Sequence, residues 1–200
     1  MIIDRIELRN IEMPLLSPFE TSFGVEEVRN VLLVGVHSEG LTGWGECTAG
    51  NDPFYCGESP ETCRYILGEY LAPTLLVGNI SGDPFTFFDE VSFVRGNNMA
   101  KAALEAALWD LRAQKEGVPL HKLFGGTRDI LYTGVSVGIQ ESIEKLIEVV
   151  GKYKDDGYRR IKIKIKHGWD VAPVKALREV YGDFPLMVDA NCAYTSKDIN

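Results

Sequence analysis

The chain has 200 residues, 45% of them hydrophobic and 25% charged, with a formal net charge of -8. That length allows one large or two small domains with a sizeable core, and the composition is ordinary for a globular protein. The acidic balance argues against nucleic acid as a partner, and no apolar run approaches the ~20 residues that span a membrane. Cys47, Cys56, Cys63 and Cys192 are irregularly spaced, with no CxxC pair and no zinc-finger arrangement. They read as reduced thiols, small buried side chains of a cytoplasmic protein. Residues 1–5 lack the design of a signal peptide.

In chain order, residues 2–12 read as a first strand. Residues 14–24 (PLLSPFETSFG) read as a loop by their Ser, Pro, Thr and Gly content, yet they carry Phe19 and Phe23. Aromatics in a loop either anchor it or touch a ligand. Residues 28–37 and 41–47 form a hairpin around Ser38-Glu39-Gly40. A second loop spans 48–57. Ser59-Pro60-Glu61 then opens a helix expected to stop at about Leu71, because Pro73 follows. Asp83-Pro84 signals a short helix to about Phe93. Asn97 or Asn98 opens a longer one over 99–115, whose Ala102, Ala103, Ala106 and Ala107 allow close approach. Residues 1–124 are thus expected to form an α+β domain, with a boundary at Gly125-Gly126.

From there the pattern alternates. Strands are expected at 132–139, 161–166 and 184–188, with helices at 141–153 and 171–180 between them and a further helix signal at Thr195. Such units imply a parallel sheet, here the start of an α/β barrel over 125–200. A full barrel takes ~250 residues, so roughly 375 would be expected in total, and the sequence looks cut in mid-barrel.

The middle strand, Ile161-Lys162-Ile163-Lys164-Ile165-Lys166, alternates strictly, so isoleucines face one way and lysines the other. A solvent-exposed strand can carry this pattern; in a closed barrel the lysines point inward, where ammonium groups are costly without a task. Barrel active sites lie at the C-terminal strand ends, which brings Lys164 beside Asp189. Asp189 is either a turn residue or a ligand for a hard cation such as Mg²⁺. A lysine beside a bound dication has its ammonium form disfavoured and can act as a base. Metal plus lysine can remove a proton alpha to a carboxylate, the metal holding the enediolate while the amine takes the proton.

At these residues the chain resembles the enolase superfamily, which pairs lysine bases with Mg²⁺. The likeness is to its o-succinylbenzoate synthase / N-succinylamino acid racemase branch. It is carried by Gly43-Trp44-Gly45-Glu46-Cys47, Trp109-Asp110-Leu111, Val135-Ser136-Val137-Gly138-Ile139, Lys162-Ile163-Lys164, Gly168-Trp169-Asp170 and Asp189-Ala190-Asn191. The resemblance implies an α+β capping domain followed by an incomplete enolase-type, TIM-like barrel. It implies Lys164 as catalytic base, Lys162 as its assistant, Asp189 as the first of three metal carboxylates and Asn191 as its support. Ser136 is implied to face the substrate. Phe19 and Phe23 would lie on a loop closing over the site, with a second capping loop near residues 50–53. The implied cofactor is Mg²⁺ or another dication such as Mn²⁺. The implied reaction is the dehydration of a cyclohexadiene acid to o-succinylbenzoate in menaquinone synthesis, with N-acylamino acid racemisation or dipeptide epimerisation as alternatives.

The substrate would be a small carboxylate, with no nucleic acid or membrane partner, and the full-length protein would self-associate. The remaining metal ligands and a second lysine are implied beyond Asn200, so the 200 residues alone are expected to be inactive, or at most an interaction module with an open sheet edge. His167 stands where the family usually has proline and reads as a bystander. Lys166 reads as a solvated strand end.

Overall fold

The computed structural model describes residues 2–198. The chain forms two compact units, Met1–Met13 with Val28–Thr127, and Pro14–Glu27 with Arg128–Asn200. The first strand, β1 (Arg5–Glu20), and β2 (Val25–Ser38) make a long hairpin whose base belongs to the first unit and whose tip belongs to the second. Residues 14–20 are therefore strand, not loop. Pro14 and Pro18 are tolerated because β1 is an edge strand in the order β1-β2-β3, where a missing N–H breaks no ladder.

In the first unit, β2 pairs antiparallel with β3 (Leu41–Cys47), Leu32 lying opposite Cys47 and Ser38 opposite Leu41. Glu39 and Gly40 turn the chain with φ of 52° and 81°, the all-positive pattern of a tight hairpin. Strand β3 lies flat on α4 (Asn98–Glu116) because it is thinned by glycine. A Cβ at Gly43 would meet the backbone of Ala107 and Leu111, and one at Gly45 would overlap the Ala103 carbonyl and lie 2.8 Å from Ala107 N. Ala103 and Ala107 are the helix positions approached; Ala102 and Ala106 face outward. Asp110 Oδ2 accepts from Trp44 N at 2.8 Å, so the Gly-Trp-Gly strand and the Trp-Asp helix interlock.

Asn97, at φ 54°, does not cap α4; its side chain donates to Arg95 O. The Glu58 carboxylate caps it instead, accepting from Met99 N at 3.0 Å and Ala100 N at 3.2 Å, an anion at the positive helix end.

Ser59 and Thr62 form a reciprocal capping box that opens α1 (Pro60–Ile66). This helix does not stop before Pro73. A π turn, Leu67–Leu71, leads into α2 (Ala72–Leu76), and Ala72 N–H reaches five residues back to Leu67 O. The wider turn accommodates a proline that lacks its own N–H. The helix expected after Pro84 is reduced to α3 (Phe87–Glu90), since Asp83 Oδ1 accepts Phe85 N in a local turn. One turn, α5 (Leu120–Leu123), is too short for periodicity to show. Cys47 and Cys63 are buried in this unit's core; Cys192, by contrast, is exposed.

The second unit carries β4 (Gly134–Val137), α6 (Ile143–Asp155), β5 (Arg160–Lys164), α7 (Val171–Tyr181) and β6 (Leu186–Asp189). The three strands are parallel in the order β4-β5-β6, the opening portion of a β/α barrel. Ile161 and Ile163 are fully buried with Leu146 and Val150 of α6 and Leu177 of α7. Each such isoleucine contributes about 1.5–3 kcal/mol. The strand ends at Lys164 rather than Lys166. Lys166 and Trp169 exchange backbone hydrogen bonds of 3.1 and 2.8 Å across a turn in which Gly168 takes φ 77°. Asp170 then caps α7, and Pro173 sits in its first turn. Strand β6 starts after Pro185, whose carbonyl accepts from Ile161 N at 3.0 Å. The helix signal at Thr195 is a 3₁₀ turn, Ser196–Asp198.

Candidate active site

With Ile161 and Ile163 turned to the helices, Lys162 and Lys164 project from the opposite face of β5. The parallel register sets Ser136 and Met187 beside Lys162, and Asp189 beside Lys164. Residues in register share a face, so Ser136, the two lysines and Asp189 lie on one side of the sheet at its C-terminal end. Lys164 is nearly buried, its side chain 7% exposed, whereas Lys162 keeps 33%, so the lysine face is only partly solvated.

Both lysines converge on one oxygen. Lys162 Nζ donates to Asp189 Oδ2 at 3.0 Å and Lys164 Nζ to the same atom at 2.9 Å. Lys164 Nζ also donates to Asn191 Oδ1 at 2.5 Å, and Asn191 N donates to Asp189 Oδ1 at 2.9 Å. Asn191 achieves this with φ 47°, a left-handed conformation that asparagine tolerates better than most residues. The Lys164 hydrogen bond, then the Asn191 N–H and the Lys162 ammonium, hold the Asp189 carboxyl well below the usual carboxylate range, against the opposing effect of burial.

Four of the residues singled out in the sequence thus form one cluster: Lys162, Lys164, Asp189 and Asn191. Ser136 is on the same face, paired in register with Lys162, and exposed. Phe19 lies against the backbone of Gly138, where an added Cβ would be 3.3 Å from its ring. Phe23 stands exposed in the hairpin turn, which Thr21 N closes onto Gly24 O at 2.9 Å. The cluster supplies the oxygen donors a hard cation prefers. Among the described residues, however, no three His, Cys, Asp or Glu side chains converge as a metal cage.

Several contacts here were not read from the sequence. Glu20 Oε1 accepts from Lys166 Nζ at 2.8 Å, so Lys166 has a partner. His167, read as a bystander, lies 3.1 Å from Ala193 O through Nε2 and packs on Tyr194 with ring centroids 4.5 Å apart. Tyr194 donates to Asp170 Oδ2 at 2.6 Å. That bond, with the Val171 N–H, lowers the Asp170 carboxyl, and the same carboxylate pushes the Tyr194 hydroxyl up to about 12. These partners are too far apart in sequence, or too generic in type, for a motif to join them.

An antiparallel α+β unit followed by parallel β/α units, with lysines and an aspartate at the strand ends, defines a class of protein. A domain model described as "Mandelate racemase / muconate lactonizing enzyme, N-terminal domain" matches residues 5–125, and one described as "Enolase C-terminal domain-like" matches residues 145–199. The chain belongs to the mandelate racemase / muconate lactonizing enzyme family of the enolase superfamily.

Within that family it is 44% identical to an o-succinylbenzoate synthase of Geobacillus kaustophilus, over 98% of this chain and 52% of the relative. It is also 44% identical to an N-succinylamino acid racemase of Thermus thermophilus, over 98% of this chain and 53% of the relative. A solved enolase-superfamily member from Listeria innocua superposes with a TM-score of 0.90 at 37% identity, covering 99% of this chain and 53% of that one. The chain spans about half the length of the curated relatives it matches. Among the described residues no helix is long and apolar enough to cross a membrane.

Proposed function

We propose that residues 125–200 supply the base and the first metal carboxylate of a Mg²⁺-dependent (or Mn²⁺-dependent) lyase that dehydrates a cyclohexadiene acid to o-succinylbenzoate, and that residues 1–124 form its capping domain. The observation that carries this reading is the convergence of Lys162 and Lys164 on Asp189 at the strand ends. Lys164, the more buried of the two lysines, takes the proton alpha to the substrate carboxylate once its amine is unprotonated and released from Asp189. Lys162 keeps its charge and stabilises the developing enediolate. Asn191 orients Asp189 through its N–H. Ser136, Phe19 and Phe23 contact the substrate. A divalent cation held by Asp189 adds positive charge beside that enediolate; one carboxylate is too few to hold it alone, so further ligands are required.

The equal identity to a racemase supports a second reading, N-acylamino acid racemisation. A single lysine serves a syn elimination, whereas racemisation needs a base on each face of the carbon.

The test joins the 200 residues to the complementary C-terminal part of the Geobacillus relative. It follows both o-succinylbenzoate formation by absorbance and α-proton exchange of N-succinylamino acids by NMR, with Mg²⁺ present. The expected result is turnover by the chimera, none by the 200 residues alone, and none by the Lys164→Ala chimera. Unchanged turnover in Lys164→Ala would refute the base assignment. Turnover by the 200 residues alone would refute the need for further ligands.

A further inference from the structure

The third lysine of the strand lies past the end of β5, yet it is paired. Glu20, its partner, sits at the tip of the β1–β2 hairpin. The tip makes one hydrogen bond to the exit of each parallel strand. After β4, Ile139 N donates to Glu20 O at 2.9 Å; after β5, Lys166 Nζ donates to Glu20 Oε1 at 2.8 Å; after β6, Ser22 Oγ donates to Ala190 O at 2.6 Å. Gly138 leaves room for the first of these, since a Cβ there would lie 3.1 Å from both Glu20 N and Glu20 O. The last bond lands on the residue between Asp189 and Asn191. The tip and the reacting end of the sheet are therefore mechanically joined.

We propose that Glu20 and Lys166 are positioning residues, an electrostatic latch that seats the hairpin tip, and Phe19 with it, on the three strand exits. This rests on the reading of Lys164 and Asp189 as the reacting end of the sheet. Lys166 and Glu20 keep side-chain exposures of 43% and 35%, so their ion pair is screened and individually weak. That weakness suits a latch: the tip is held without being locked, and opening it breaks no buried contact of the Ile161–Ile163 core. The charge pattern of β5 then divides by position, with Lys162 and Lys164 directed to Asp189 and Lys166 to the hairpin.

The test is amide hydrogen exchange on the 200-residue chain, without metal or substrate. The Ile139 amide reports the tip, and the Ile161 amide, bonded to Pro185 O, reports the sheet. Lys166→Met and Glu20→Gln should each speed exchange at Ile139 about two- to fivefold and leave Ile161 unchanged. The charge-swapped pair, Glu20→Lys with Lys166→Glu, should restore the slow rate. The difference between wild type and the single variants should vanish at 1 M salt, where the screening length is about 3 Å. Unchanged exchange at Ile139, equal acceleration at Ile161, or a swap that restores nothing would overturn the latch. Because this assay contains no reaction, its failure leaves the role of Lys164 to be decided by the turnover experiment.

Discussion

The Asp189 carboxylate stabilises the second unit by pairing with two ammonium groups at once, and Asp189→Asn removes the charge while keeping the shape. Lys162 Nζ and Lys164 Nζ lie 3.0 and 2.9 Å from the same oxygen, so the two nitrogens are at most about 6 Å apart. Without the carboxylate they repel by about 3 kcal/mol at an effective dielectric of 20, less where Lys162 reaches solvent. Allowing for that screening, the variant should be about 2–4 kcal/mol less stable at pH 7.

The pH dependence follows from the lowered Asp189 carboxyl. A depressed carboxylate contributes its full stabilisation above the unfolded value of about 3.9, and loses it as the pH falls toward the folded value. The gap between wild type and variant should be flat from about pH 5 to 7 and about 1.3 kcal/mol smaller at pH 3. The assay is urea denaturation with chelator present, read by Trp169 fluorescence after Trp44→Phe and Trp109→Phe. A gap of zero at pH 7, or one that does not shrink at pH 3, would refute the claim that the carboxylate is what holds the lysines.

Two further outcomes follow from the packing and the hydrogen bonds. Gly45→Ala forces β3 off α4, because the new methyl group overlaps the Ala103 carbonyl; a loss of about 3 kcal/mol is expected in thermal denaturation, and a wild-type melt would contradict the close approach. Tyr194→Phe removes the strongest influence lowering Asp170, so its carboxyl should titrate closer to the usual range in a carbon-detected NMR titration. In the wild-type protein the Tyr194 hydroxyl should ionise near 12 by ultraviolet absorbance.

The lysine–aspartate cluster was legible where chemistry and period coincide within a few residues. Lys162 and Lys164 declared themselves because alternation with isoleucine fixes a face, and Asp189 because it ends the next strand. The Glu20–Lys166 pair was not legible, since 146 residues separate two common charged types. Residues 14–20 were misread because Pro and Ser usually mark loops, and only the edge position of β1 makes them compatible with a strand. Pro73 was misread for a similar reason: a π turn one step earlier relieves the clash that normally ends a helix, and nothing in local composition announces it. Glu58, rather than Asn97, caps α4: the Asn97 side chain bonds locally to Arg95 O, and Glu58 reaches the helix end by a tertiary contact that local composition does not announce.

Strand β5 does two jobs with one alternation. Its isoleucines anchor it between α6 and α7, so its lysine face is held rigidly, and the nearly buried Lys164 side chain is paired with Asp189 at 2.9 Å. The same oxygen of Asp189 serves both lysines, and under the proposed function it is also the first ligand of the cation. Two ammonium groups and a dication cannot all be neutralised by one carboxylate. On the proposed function, a cation at Asp189 and the two ammonium groups compete for the same oxygen, so the two kinds of binding oppose each other by linkage.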